Sequence, residues 1–520
     1  MLKDRALPAF FFPMPEAFSL LAPDLPRAGV ATETLRELVP PLPVPRPTRL
    51  LVLGVGIKAH FPWEVTRRRY GLAVERVRAA LDPAQFEVLC AGEPFEDPDA
   101  LLPFCNGLLA GGLAGVVLFH SSYTAGEIGS QFGLWLKDHH LPVLSWSFPD
   151  RPVSSGGMEA NSLCCQNFLL NMFGALGLRY AWLHADVEGD LPPTVARFAR
   201  TVRARERFRH GRVLHVGGSR VTAFYDGEVD ELSVMKRFGL RFDRLVHEEA
   251  FQFARKYPEA DVRRLHSSIV KSPECARDDV PAEQALQTLR LGLACWEMAA
   301  TRGYVGCIIK SWPELFGCYG CAADGAVSML NDAGLCTAEE GEMNGLLSSL
   351  SLHLLSEGRA VPTMMDLSVA RPGDNRLGLW HCGASPTRLL KRGTKFEARK
   401  HMVLEGADPG TAVGLMMEFL LELGPVTVVR YMAPRADRMF AFEGDLRDCP
   451  PLFRGNYGEL EPGGPAGASG ILRTILGLGL DHHWSLGYGH WHDDLRMLNH
   501  WLGVEDIPVQ AAGPLHGLSG

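Results

Sequence analysis

The chain has 520 residues, of which 46% are hydrophobic and 22% charged, with a net charge of −8. That length implies two to four domains, and that composition a soluble globular protein with a large buried core. The basic residues are scattered, with no Lys/Arg block to follow a phosphate backbone, so nucleic acid is not an expected partner.

Residues 1–47 are proline-rich and read as an irregular, extended lead-in. The apolar run near the start is broken by prolines and acids and lacks the uninterrupted core of a signal peptide. The longest apolar stretch, "GLLAGGLAGVVLF" (107–119), is too short and too glycine-rich to span a bilayer. These features lead to the expectation of a cytoplasmic protein without a membrane partner. The 12 cysteines, irregularly spaced, then read as reduced thiols. Cys318 and Cys321 form a single CxxC with no second pair, which is a weak metal or redox signature.

Across 48–178, short apolar runs alternate with helical spacing. "RLLVLGVG" (49–56), "FEVLCAG" (86–92), "GVVLFHS" (115–121) and "PVLSWSFPD" (142–150) read as strands of a first parallel sheet. The rhythm restarts across 179–357. There "YAWLHAD" (180–186), "RVLHVGG" (212–218), "GCIIKSW" (306–312) and "LCTAEE" (335–340) read as the strands of a second such sheet. From 358 to 520 the segments become short, β-like and separated by turns, which predicts a mainly antiparallel, barrel-like β-domain. "NYGELEPGGPAGASG" (456–470) reads as a long flexible loop, and 482–509 as strand, helix, strand. The predicted fold class is α/β: two doubly wound parallel-sheet domains followed by the β-domain.

Several nucleotide and hydrolase signatures are missing. "GVG" (54–56) follows a strand but lacks the third glycine of a dinucleotide fingerprint. There is no P-loop, no GxSxG elbow and no HExxH.

"TAEEGEMNGLL" (337–347) places Glu339, Glu340 and Glu342 where a strand gives way to a helix. Ligands bind beyond the carboxyl ends of strands in open α/β sheets, but acids also favour a first helical turn for its dipole. The following helix has Met343, Leu346, Leu347, Leu350 and Leu354 on one side and needs no function to be stable. Asp366 closes an apolar run one strand later, where a turn-forming Asp is the plain alternative. "DHHWSLGYGHWHDD" (481–494) then sets four histidines and three aspartates among three aromatic residues. Two carboxylates and one imidazole make a site for a hard divalent ion, Mn²⁺ or Mg²⁺ rather than zinc.

Three elements resemble the L-fucose isomerase and L-arabinose isomerase superfamily: the 310–366 segment beginning "KSWPELFGCYGC" and ending "VPTMMD", "LWHCGASP" (379–386), and "HHWSLGYGH" (482–490). The fucose isomerase-like branch is the nearer, because the second acid is Asp366 where the arabinose branch uses glutamate. The resemblance implies Glu340, Asp366 and His483 as metal ligands, with Mn²⁺, Mg²⁺ or Co²⁺ as cofactor. It implies Glu340 and Asp366 as the carboxylates that move a proton between C1 and C2 of an open-chain aldose through a cis-enediol. It also implies a homo-oligomer, a trimer or hexamer. The sequence departs from the pattern at Glu339 and Glu342, which leaves Glu339 as a rival to Glu340; His482 rivals His483 in the same way. Trp312, Trp484 and His381 are candidate sugar contacts, with core packing the alternative for each. The competing expectations are a non-catalytic sugar-binding or sensor protein and an arabinose isomerase-type enzyme.

Overall fold

A computed structural model describes residues 25, 28–407, 410 and 412–516. Much of the expected lead-in lies outside those residues. Of the rest, Thr32–Leu38 forms a helix, and Leu35 within it is buried.

The first sheet holds β1 (Thr48–Val55), β2 (Phe86–Cys90), β3 (Leu113–His120), β4 (Val143–Ser147) and β5 (Ala181–His184) in the order β2-β1-β3-β4-β5, all parallel. Helices Trp63–Ala79 and Thr194–Arg209 cover one face, and Pro98–Leu109, Gly133–Asp138 and Ser162–Ala175 the other. This is the doubly wound arrangement that fully apolar strands demand, since both faces must be buried. The boundary expected after 178 falls one strand too early. Strand β5 pairs with β4 in the first sheet rather than opening the second, and its period-2 burial marks an edge strand. The glycines of "GVG" are there for packing: a Cβ on Gly54 would stand 2.6 Å from the Tyr70 ring.

The second sheet is built from β6 (Arg212–Val216) and β7 (Arg241–Leu245), then, after the short β8 (Cys275–Asp278), from β9 (Gly306–Ile309) and β10 (Thr337–Ala338). Its order is β10-β9-β6-β7, again parallel. Strands β7 and β8, "RFDRL" and "CARD", carry too many charges to read as strands, because both run partly exposed. The expected strand at 335–340 is only two residues long. Its continuation turns sharply to bring Glu339 and Glu340 inward.

The third unit contains β11 (Thr363–Arg371), β12 (Arg376–His381), β13 (Phe396–Arg399), β14 (Met416–Leu420), β15 (Gly424–Tyr431), β16 (Arg438–Arg447), β17 (Asn456–Pro462), β18 (His483–Tyr488) and β19 (Glu505–Asp506). Six of them close on themselves: β16-β15-β18-β11-β12-β17 and back to β16, every pairing antiparallel. Closure leaves this ring without a free edge. Strand β8 joins the third sheet through β13, and β19 flanks β16. Residues 456–470, expected to be a loop, form β17 and the start of helix Gly467–Leu478. Only the glycine-rich centre turns, because Asn456, Tyr457, Gly458 and Leu460 are drawn into the barrel wall.

Helix Met343–Ser356 sits between the second sheet and the barrel. It was expected to bury one side, yet every residue except His353 is buried, because strands and helices from both units cover it. Among the described residues no helix is long and apolar enough to cross a membrane.

Candidate metal centre

Three segments distant in sequence meet where the second sheet abuts the barrel. The first is the turn after β10. Glu340 (φ 60°) and Gly341 (φ 69°) are both left-handed. For a glutamate that is an uncommon and strained conformation, of the kind found where function over-determines the backbone. Gly341 is obligatory: a Cβ there would meet the Ser219 carbonyl oxygen at 2.5 Å and Arg220 Cα at 2.9 Å. The turn delivers Glu339, Glu340 and Glu342 to the interior, all essentially buried.

The other two segments are neighbours in the barrel wall. Asp366 of β11 lies directly opposite His483 of β18 in the antiparallel register. Cross-strand partners project to the same face about 5 Å apart, so the pairing puts carboxylate and imidazole side by side. His483 Nε2 lies 3.2 Å from Asp366 Oδ1 and 3.2 Å from Glu340 Oε2. On its other side, Nδ1 meets Glu342 Oε1 at 3.0 Å. Glu342 is held in turn by Arg430 (2.8 Å), which also bonds Asp481 at 3.1 Å. A carboxylate behind an imidazole fixes ring and tautomer, as outer partners do for metal-ligating histidines.

The electrostatics separate the three glutamates. Burial raises the Glu340 carboxyl to about 7, with Asp366 and Glu342 adding to the rise and His483 opposing it. Burial pushes Glu339 well above the ordinary carboxylate range, and the charges of Asp324 and Glu340 push the same way. Glu342 goes the other way. Burial alone would raise it, but Arg430 and His483 outweigh that and lower it to about 2. His483 would be lowered by burial; Glu340, Glu342 and Asp366 together raise it to about 9. Asp366, less enclosed, is raised by burial.

The donors group accordingly. Glu340, His381 and His483 each bring one ligand atom within 4.8 Å of the others. So do Asp366, His482 and His483, and so do Asp324, His381 and Cys382. Glu340 Oε2 is buried and, apart from the His483 ring at 3.2 Å, meets no hydrogen-bond donor among the described residues. Of the rival pairs, Glu339 Oε2 stands 4.0 Å from His381 Nε2. His482 is half exposed and bonds Asp226 at 2.7 Å.

Trp312 donates Nε1–H to Glu340 Oε1 at 3.1 Å and stacks edge-on against Phe316 and His401. His381 is buried beside His483, with ring centroids 5.7 Å apart. Trp484 does not reach the site. It alternates with His483 on β18, pairs with Met365 and projects into the barrel interior against Phe440 and Phe442. Adjacent residues on a strand face opposite sides. Cys318 is exposed and Cys321 buried, both free thiols. Sequence reasoning missed the work of Glu342, Arg430 and Asp324. Only the acidity of the 339–342 turn signalled the first.

No protein-family model matches the chain. Curated proteins do. It is 24% identical over 380 residues to a sulfoquinovose isomerase of Alkalicoccus urumqiensis, covering 72% of this chain and 82% of that protein. It is 24% identical over 371 residues to a sulfoquinovose isomerase of Priestia aryabhattai (70% and 79%), and 23% identical over 374 residues to one of Clostridium sp. (strain MSTE9) (70% and 80%). Over most of its length, then, the chain is similar to isomerase enzymes.

Proposed function

We propose that the chain is a metal-dependent aldose–ketose isomerase, with Glu340, Asp366 and His483 holding the cation. The carrying observation is the convergence of two carboxylates on one imidazole that Glu342 anchors from behind. The similarity to sulfoquinovose isomerases supports the reaction class. Mn²⁺ fits the oxygen-rich donor set best, with Mg²⁺ or Co²⁺ as substitutes. When bound, such an ion polarises a carbonyl and its neighbouring hydroxyl.

The chain's own residues supply the rest. Isomerisation takes a proton from C2 of the open-chain aldose and returns one to C1. Glu340 and Asp366 flank the cluster and serve as the acid/base pair. A carboxyl group beside the reacting carbons can both give and take a proton. Trp312 orients Glu340 through its indole N–H, and its ring offers an aromatic face to the apolar side of a sugar. The substrate belongs to the sugars named by the resemblance and the relatives: L-fucose-like aldoses and sulfoquinovose.

The test is to incubate metal-stripped protein with sulfoquinovose, L-fucose, L-arabinose and D-arabinose, with and without Mn²⁺, and to measure ketose. Metal-dependent turnover of at least one aldose is expected. Binding of these sugars without turnover, with or without metal, would replace the enzyme by a sugar sensor.

A further inference from the structure

Behind the proposed centre lies a second group of donors that the isomerase chemistry does not use. Asp324 begins helix Asp324–Ala333 of the second unit, while His381 ends β12 in the barrel and Cys382 follows it. One oxygen, one nitrogen and one sulfur from these three lie within 4.8 Å of one another, and all three residues are buried. Neither Asp324 oxygen accepts a hydrogen bond from another residue among those described, and His381 Nδ1 has no partner either. A buried carboxylate left in this state is costly unless it takes a proton or a cation meets it. The start of its own helix offsets only part of that cost.

Asp324, Glu339 and Glu340, all buried, and the partly exposed Asp366 are four carboxyl groups in one cluster, whereas Glu342 is already paired with Arg430. One divalent ion at Glu340, Asp366 and His483 neutralises two of the four. Two remain, Asp324 and Glu339, and Glu339 lies 4.0 Å from the His381 ring.

We propose that Asp324, His381 and Cys382 form a second cation site, for a borderline-soft divalent ion of the zinc type, with Glu339 beside it. A thiolate, an imidazole and a carboxylate are the donor mixture zinc takes, and a hard ion such as Mg²⁺ would not select the thiolate. Binding releases the thiol proton to solvent and leaves the sulfur as ligand; no redox change is involved. Because its donors come from two units, the ion clasps the second sheet to the barrel. His381 stands in both donor groups, so the two sites adjoin.

The experiment uses the full chain, stripped and reloaded with Zn²⁺ or Co²⁺, with metal counted by elemental analysis. Two equivalents per chain are expected for the wild type, one for Cys382→Ser and one for Asp366→Asn. The Co²⁺-loaded wild type should show a sulfur-to-cobalt charge-transfer band in the near ultraviolet. That band should persist in Asp366→Asn and in Cys318→Ser and vanish in Cys382→Ser. The wild-type spectrum needs no variant to fold. A single equivalent in the wild type, absence of the band, or its survival in Cys382→Ser overturns the proposal. The outcome is separable from the isomerase reading: an active isomerase with one cation defeats only the second site, and an inactive chain with the band keeps it.

Discussion

Two buried polar clusters in this molecule are built to opposite rules. In the first α/β unit, His120 Nε2 meets Ser145 Oγ at 2.7 Å, and Gln166 donates to the Ser145 and Leu183 carbonyls. Ser147 bonds both Gln166 and His184. Neutral side chains satisfy one another there, and burial lowers His120 to about 3, so it stays uncharged. At the junction of the second sheet and the barrel, charged groups are buried and several lack partners. The first arrangement is complete in itself, whereas the second leaves buried polar atoms without partners.

The largest effect should come from the junction. Glu340→Gln and Asp366→Asn are each expected to lower turnover by about 10²–10⁴-fold and to weaken cation binding, read by steady-state kinetics and by calorimetric titration with Mn²⁺. Full activity in either variant would dissolve the contrast with the first unit. Glu342→Ala removes the anchor of His483 and leaves Arg430 with Asp481 alone. Cation affinity should fall about 10–100-fold. Stability should fall by about 3 kcal/mol in urea titrations, the usual scale for breaking a buried ion pair.

In the first unit the same kind of change should act on stability only. Gln166→Ala is expected to cost about 1–3 kcal/mol with kcat and KM unchanged, since it strands buried partners without touching the junction. The pH profile sharpens this further. The His120 pKa is depressed from 6.5 to about 3 in the fold, so the unfolded chain binds the extra proton first. Stability should therefore fall as pH drops from about 6.5 toward 3, and replacing His120 by Gln should flatten that limb. The smallest effect belongs to His482→Ala. This half-exposed pair with Asp226 contributes no more than about 1 kcal/mol, and cation affinity should be unchanged. A large loss of affinity would instead make His482 the ligand.

What the sequence disclosed follows from the range of the interactions. Apolar runs of strand length reported both parallel sheets and most barrel strands, because burial on one or two faces is written locally. Strands β7 and β8 escaped because exposed edges carry charge, and β5 was assigned to the wrong sheet because pairing is not a local property. Glu340, Asp366 and His483 stood out through the resemblance, and the fold draws them together. Nothing local showed that Glu342 pairs with Arg430, 88 residues away, or that Asp324 faces Cys382. For Trp484 the packing alternative is the one the fold favours, because alternation along β18 turns it away from its neighbour's side.

The span of the anchor bond between Glu342 and His483 is 141 residues. During synthesis the acidic turn leaves the ribosome long before its imidazole partner exists. Until the last barrel strand docks, the 339–342 carboxylates have no reason to stay dry, and the nascent second sheet must wait with that edge solvated. A chain truncated before 483 should therefore leave the 339–342 carboxylates without their imidazole, and protease sensitivity of the 337–347 turn in such a truncation would report it.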